Sequence, residues 1–151
     1  QMAFPGSFDL IASANALQWM KELPVFLHRL FSALAPQGLL LFNLFTPENL
    51  LEVKAISGQG LNYPTPAEVQ SWLAKDYHIW QMEEERIVLT FSDPMEVLRH
   101  LKYTGVTANA TGVWTKGKQA HFCEAYRERF ATLDGKVTLT YTPLYLLASK
   151  Q

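Results

Sequence analysis

The chain has 151 residues, 48% of them apolar and 18% charged, and a net charge of −1. That length supports one domain with a sizeable core, and that composition is globular rather than disordered. A near-neutral chain without a basic block gives no electrostatic support for binding nucleic acid or an anionic membrane. The single cysteine, Cys123, excludes an internal disulfide framework and a cysteine-based metal cluster, and fits a reducing cytoplasm. No apolar run reaches the roughly 18 residues of a membrane-spanning helix.

The pattern opens on a short buried strand over 8–13, FDLIAS, which runs into a polar turn at Ser13 to Asn15 and then Leu17 and Trp19. In an open α/β sheet, ligands sit at the carboxyl ends of such strands. Next, Leu23, Phe26, Leu27, Leu30, Phe31 and Leu34 form the stripe of a helix packed on a sheet. Pro24 suits its first turn, and Ala35-Pro36-Gln37-Gly38 ends it. Leu39-Leu40-Leu41-Phe42 then runs without alternation, as in a strand covered by helices on both faces. Strand, helix and strand together predict a βαβ core over 8–45.

Residues 46–91 read as helices and a strand. Thr46-Pro47-Glu48-Asn49 opens a helix to about Ile56, closed by Ser57-Gly58-Gln59-Gly60. Thr65, Pro66 and Glu68 form a capping-box start for a helix carrying Val69, Trp72 and Leu73. His78 to Phe91 reads as one strand with Glu83-Glu84-Glu85 in its middle. Residues 92–135 read as a helical insertion. Asp93, Pro94 and Glu96 start a helix that Gly105 ends, residues 106–117 form a loop, and Gln119 to Phe130 is helical with Phe122, Cys123, Tyr126 and Phe130 on one stripe. Asp134-Gly135 is a turn. A final strand occupies 136–149, where Pro143 argues for an edge or a bulge.

Arg99 and Lys102, three apart, share one side of their helix. His28, His78, His100 and His121 have no metal-binding spacing, and no HExxH or GxSxG occurs. Cys123 reads as a small core residue.

The stretches FDLIASANALQWM (8–20) and LAPQGLLLFNLF (34–45) resemble the class I S-adenosylmethionine-dependent methyltransferases. VLRHLKYTGVTA (97–108) and LTYTPLYLLASK (139–150) narrow the resemblance to the malonyl-[acyl carrier protein] O-methyltransferase branch of biotin synthesis. The resemblance implies an α/β fold: the C-terminal half of a Rossmann-like sheet, strands four to seven, with helices on both faces and a helical substrate cover. It implies S-adenosyl-L-methionine as cofactor, with Ser13, Asn15 and Trp19 beside it. It implies an acyl carrier protein or CoA thioester as partner, with Gln18, Arg99, Lys102, Tyr103 and Tyr141 toward the substrate. Arg99 would take the malonyl carboxylate in bidentate fashion, and Lys102 a phosphate or an acidic surface. No catalytic residue and no metal are assigned.

The blander readings stay open. Asn15 could cap a helix, Trp19, Tyr103 and Tyr141 could be core, and Arg99 and Lys102 a solvated face. The glycine-rich turn that the family places after its first strand is absent from the sequence. The chain therefore reads as a fragment that begins at the fourth strand, with an exposed first strand free to self-associate. A methyltransferase for another small acceptor, or a non-catalytic binding module, is the alternative.

Overall fold

The structure, a computed structural model, describes residues 4, 6–105 and 115–151. Its strands are β1 (Phe8–Ser13), β2 (Leu34–Phe45), β3 (Tyr77–Glu84), β4 (Ile87–Phe91), β5 (Val137–Tyr141) and β6 (Pro143–Lys150). Its helices are α1 (Leu23–Ala33), α2 (Leu51–Ser57), α3 (Pro66–Leu73), α4 (Pro94–Tyr103) and α5 (Lys116–Phe130), with a 3-10 turn at Leu17–Trp19. The chain divides into two compact units: residues 1–47, 63–85 and 142–151 in the first, and residues 48–62 and 86–141 in the second.

The first unit is built on a four-stranded sheet in the order β1-β2-β6-β3. β1 runs parallel to β2, and β6 lies antiparallel to both β2 and β3. Leu40, Phe42 and Leu44 of β2 and Leu144, Leu146 and Ala148 of β6 pack against Leu27 and Leu30 of α1 and Val69 and Leu73 of α3. The opposite face presents Leu10, Leu39, Leu41, Trp80 and Tyr145, with Leu10 55% and Trp80 65% exposed. The unbroken apolar run of β2 thus meets helices on one face, and the expected second layer is not formed by the described residues. β1 is an edge of the sheet among those residues.

Local chemistry fixes the helix ends. Thr65 accepts from the Glu68 backbone N–H, and the Glu68 carboxylate accepts from the Thr65 N–H and hydroxyl, which is the expected capping box. Those hydrogen bonds, the backbone one first, hold the Glu68 carboxyl below its ordinary value. The contribution is therefore complete at neutral pH and fades as pH falls through the lowered value. Asp93 caps α4 by accepting from the N–H groups of Met95 and Glu96. The Glu96 carboxylate reaches back to the N–H of Ser92 rather than to the cap residue itself. At the end of α1, Lys150 donates to the Leu34 carbonyl at 2.7 Å and lies 4.6 Å from the Phe31 ring centroid. A cation there complements the helix dipole.

Several boundaries differ from the sequence reading. Residues 34–38 do not end α1 as a loop. Leu34 is already extended and paired with Phe8, and the register shifts before Leu10↔Leu39. Gln37 takes the bend at φ 63°. Gly38 is required, because a Cβ there would lie 2.9 Å from the carbonyl oxygens of both Ala35 and Phe8. α2 begins at Leu51 rather than near Thr46, whose buried hydroxyl is bonded to Thr142 instead. The single strand expected over 78–91 is two, β3 and β4, in different sheets. The final strand is also two. Pro143 is neither at an edge nor in a bulge: it is the first residue of β6, an interior strand, where a missing N–H is tolerated. α5 starts earlier than expected, with Thr115 as its cap. The remainder of the expected loop, 106–114, lies outside the described residues.

The second unit holds the two-stranded sheet β4-β5 with α2, α4 and α5. Its core joins Val97, Leu101, Phe122, Cys123, Tyr126, Val137 and Leu139. Burial pushes the Cys123 thiol up from its ordinary range, with Arg127 opposing, so the side chain behaves as a small core residue. Glu52 is buried, and its carboxylate accepts from the Thr138 hydroxyl and from both the N–H and hydroxyl of Thr140. A buried carboxylate persists only with such partners.

Gly38→Ala is expected to destabilise the fold by about 1–3 kcal/mol, the usual cost of forcing atoms into a packed site. Urea unfolding followed by circular dichroism checks this, and an unchanged midpoint would remove the close-approach argument.

Candidate functional site

Because β1 and β2 are parallel, their carboxyl ends lie on the same side of the sheet, with Ser13↔Phe42 the last pair of their ladder. The chain leaves β1 through Asn15, whose φ of 51° is left-handed. Asn tolerates that region better than most residues with a Cβ. The turn is held by an amide pair. The Asn15 N–H donates to Asn43 Oδ1 at 3.1 Å, and Asn43 Nδ2 donates to Asn15 Oδ1 at 2.5 Å. Gln18 Nε2 then donates to the Asn15 carbonyl at 2.7 Å. Gln18 Oε1 is buried and has no hydrogen-bond partner among the described residues.

Apolar groups flank this polar edge. Leu17 is buried, while Trp19 and Met20 are exposed. At the end of β2, Phe45 meets Tyr63 edge to face with ring centroids 6.2 Å apart. Ser13, Asn15, Gln18 and Trp19 therefore lie along one turn, with Gln18 bonded to the Asn15 carbonyl and Trp19 exposed. Asn15 does not cap α1, and Trp19 is not core. Asn43 belongs to this group and was not anticipated. Its one signal is that it is the sole polar residue in the run from Leu39 to Phe45.

The other anticipated residues lie in the second unit. Arg99, Lys102 and Tyr103 all lie exposed on α4, and Tyr103 is 87% exposed. Among the described residues neither Arg99 nor Lys102 forms an ion pair, whereas Arg86 pairs with Glu48 and Lys136 with Asp134. Tyr141 ends β5, half-buried, with its hydroxyl 2.9 Å from His100 Nε2. The His100 ring packs against Phe91 at 5.2 Å between centroids. Tyr126 donates to the Thr138 carbonyl at 2.7 Å, and burial, with Glu52 and Tyr141 nearby, raises its hydroxyl above the usual range. No group of three or more metal ligands occurs among the described residues. No helix among them is long and apolar enough to cross a membrane.

Tyr141→Phe removes the partner of the half-buried His100 Nε2. It is expected to lower stability by about 1 kcal/mol, read from a denaturant midpoint; an unchanged midpoint would mean that the contact contributes nothing.

No protein-family model matches the chain. It is 48% identical over 97% of its length to the malonyl-[acyl-carrier protein] O-methyltransferase of Porphyromonas gingivalis, and covers 58% of that protein. It is 44% identical over 100% of its length to the protein of the same name in Haemophilus ducreyi, again covering 58%. The chain thus spans little more than half the length of these relatives. Among solved structures, a provisionally named methyltransferase of Bacillus halodurans C-125 matches with a TM-score of 0.66 at 12% identity, over 99% of this chain and 67% of that one. The YcgJ protein of Bacillus subtilis matches with a TM-score of 0.62 at 13% identity, over 100% and 68% of the two chains. These two likenesses establish the fold. Along nearly its whole length the chain is similar to proteins named malonyl-[acyl-carrier protein] O-methyltransferase, and it shares its fold with these two solved structures.

Proposed function

We propose that the protein, at its natural length, is a cytoplasmic S-adenosylmethionine-dependent O-methyltransferase that esterifies the free carboxylate of malonyl-acyl carrier protein, a step of biotin synthesis. The observation that carries this reading is the 48% identity over 97% of the chain to a protein of that name. A malonyl CoA thioester is the smaller alternative acceptor.

The residues at the end of β1 fit part of the cofactor. Ser13 and Asn15 offer polar groups there, Gln18 holds a buried acceptor that a bound ligand's N–H or O–H would satisfy, and Trp19 supplies an apolar wall. The cofactor, when bound, supplies a methyl group already activated on a sulfonium. The work left to the chain is positioning and exclusion of water. A malonyl carboxylate is ionised at pH 7, so the acceptor needs no base. A site of amides and an indole without a general base fits that chemistry. Tyr141, fixed by His100, lines the acceptor's path. Arg99 receives the carboxylate, while Lys102 and Tyr103, exposed beside it, meet the phosphopantetheine arm or the acidic carrier surface.

The test is methyl ester formation on malonyl-acyl carrier protein by the natural-length protein, with labelled cofactor. No product alongside an active control would sink the reading. Arg99→Ala should raise KM for the malonyl substrate by about tenfold or more, with stability within about 0.5 kcal/mol of the parent because the residue is exposed. An unchanged KM would take Arg99 out of the site.

The 151-residue chain by itself should self-associate through the open edge of β1 and the apolar face at Leu10, Leu39 and Leu41. Light scattering at high concentration decides this, and a monomeric mass would refute it.

A further inference from the structure

We propose that Asn43 is a positioning residue: it locks Asn15 in its left-handed turn and, through the Asn15 carbonyl, fixes the amide of Gln18 so that the carboxyl end of β1 is preformed for the cofactor. The inference rests on the proposed methyltransferase function for what binds there, and on the hydrogen bonds of this chain for how the turn is held.

Three observations carry it. First, Asn15 has φ 51°, a conformation that costs an ordinary residue energy and persists when its surroundings over-determine it. Second, the Asn43 side chain supplies that determination from both sides. Its Oδ1 accepts from the Asn15 N–H, and its Nδ2 donates to Asn15 Oδ1. A reciprocal amide pair satisfies one donor and one acceptor on each partner and leaves one rotamer for both. Third, the constraint passes onward. The Asn15 carbonyl takes the Gln18 Nε2 donor at 2.7 Å, which fixes which way that amide faces. Its other end, Gln18 Oε1, is buried and has no partner among the described residues. A buried acceptor left bare is costly, and a donor on a bound ligand would satisfy it. The chain of contacts therefore runs from the end of β2 to a group that awaits a ligand.

The parallel register makes this possible. Ser13 pairs with Phe42, so the residue after Phe42 stands beside the turn that follows Ser13. The Asn43 backbone belongs to the β2–β6 ladder, where it faces Tyr145, so its amide is presented from a rigid strand rather than a loop.

Two measurements test the idea. In the chain itself, exchange of the Asn15 backbone amide is read by NMR. Asn43→Ala should accelerate it about tenfold or more, whereas Asn43→Asp retains the acceptor oxygen and should keep much of the protection. In the natural-length protein, Asn43→Ala should raise KM for S-adenosylmethionine about tenfold, with kcat and the acceptor KM within about threefold of the parent. Because Asn43 acts through Asn15, Asn15→Gly combined with Asn43→Ala should be no worse than either single change. Unchanged exchange in Asn43→Ala, an effect confined to the acceptor KM, or additive losses in the double variant would each overturn the proposal. A parent protein that transfers no methyl group would overturn the functional reading instead, and the exchange measurement would still decide whether Asn43 holds the turn.

Discussion

The parallel pairing of β1 with β2 is the constraint on which the first unit depends. A parallel pair brings two carboxyl ends to one edge, and the chain must leave that edge without returning at once. β1 leaves through a left-handed asparagine, and β2 passes its end beside that asparagine with an amide of its own. The same register is set at its other end by Gly38, where the carbonyls of Phe8 and Ala35 close to within contact of any side chain placed there. A shift of one residue would lose the fit at Gly38 and separate Asn15 from Asn43. It would also turn Leu40 and Phe42 away from α1 and α3. Packing and the candidate site are thus fixed by one set of backbone pairings.

Much of this was legible in the sequence where the cause is local. The capping box at Thr65 and the cap at Asp93 were readable because their partners lie three residues away. The stripe on α1 was readable because its period is that of a helix. The two strand breaks were not. His78 to Phe91 and Val137 to Ala148 each keep a strand-like composition throughout, and only the choice of partner divides them. β3 pairs with β6, and β4 pairs with β5. Partner choice is a property of the whole fold, so no window of sequence reports it. Pro143 marked the second break, yet read alone it suggested an edge.

The candidate site shows the same division. Ser13, Asn15, Gln18 and Trp19 are close in sequence and end a strand, so their grouping followed from the pattern. Asn43 is 28 positions from Asn15, and being the sole polar residue of an apolar run does not say which residue it bonds. Its meaning comes from the register. The exposure of Leu39 and Leu41 was hidden for a related reason. An apolar run implies burial on both faces, but a sequence does not say which residues supply the cover.

The second unit spends its polar groups differently. Glu52, Thr138, Thr140 and Tyr126 bond to one another or to the β5 backbone in its interior, which ties α2 and α5 to that strand. Removing the carboxylate would strand three donors at once, so this interior resists rearrangement. The outer side of α4 is the opposite case. Arg99 and Lys102 carry charge without an ion pair among the described residues, and Tyr103 stands almost fully in solvent. Side chains of that kind contribute little to stability where they are. An exposed guanidinium keeps its full hydration until a planar anion replaces it, and a carboxylate does so with two parallel hydrogen bonds. The satisfied polar interior thus lies beneath a basic helix face that stays in solvent.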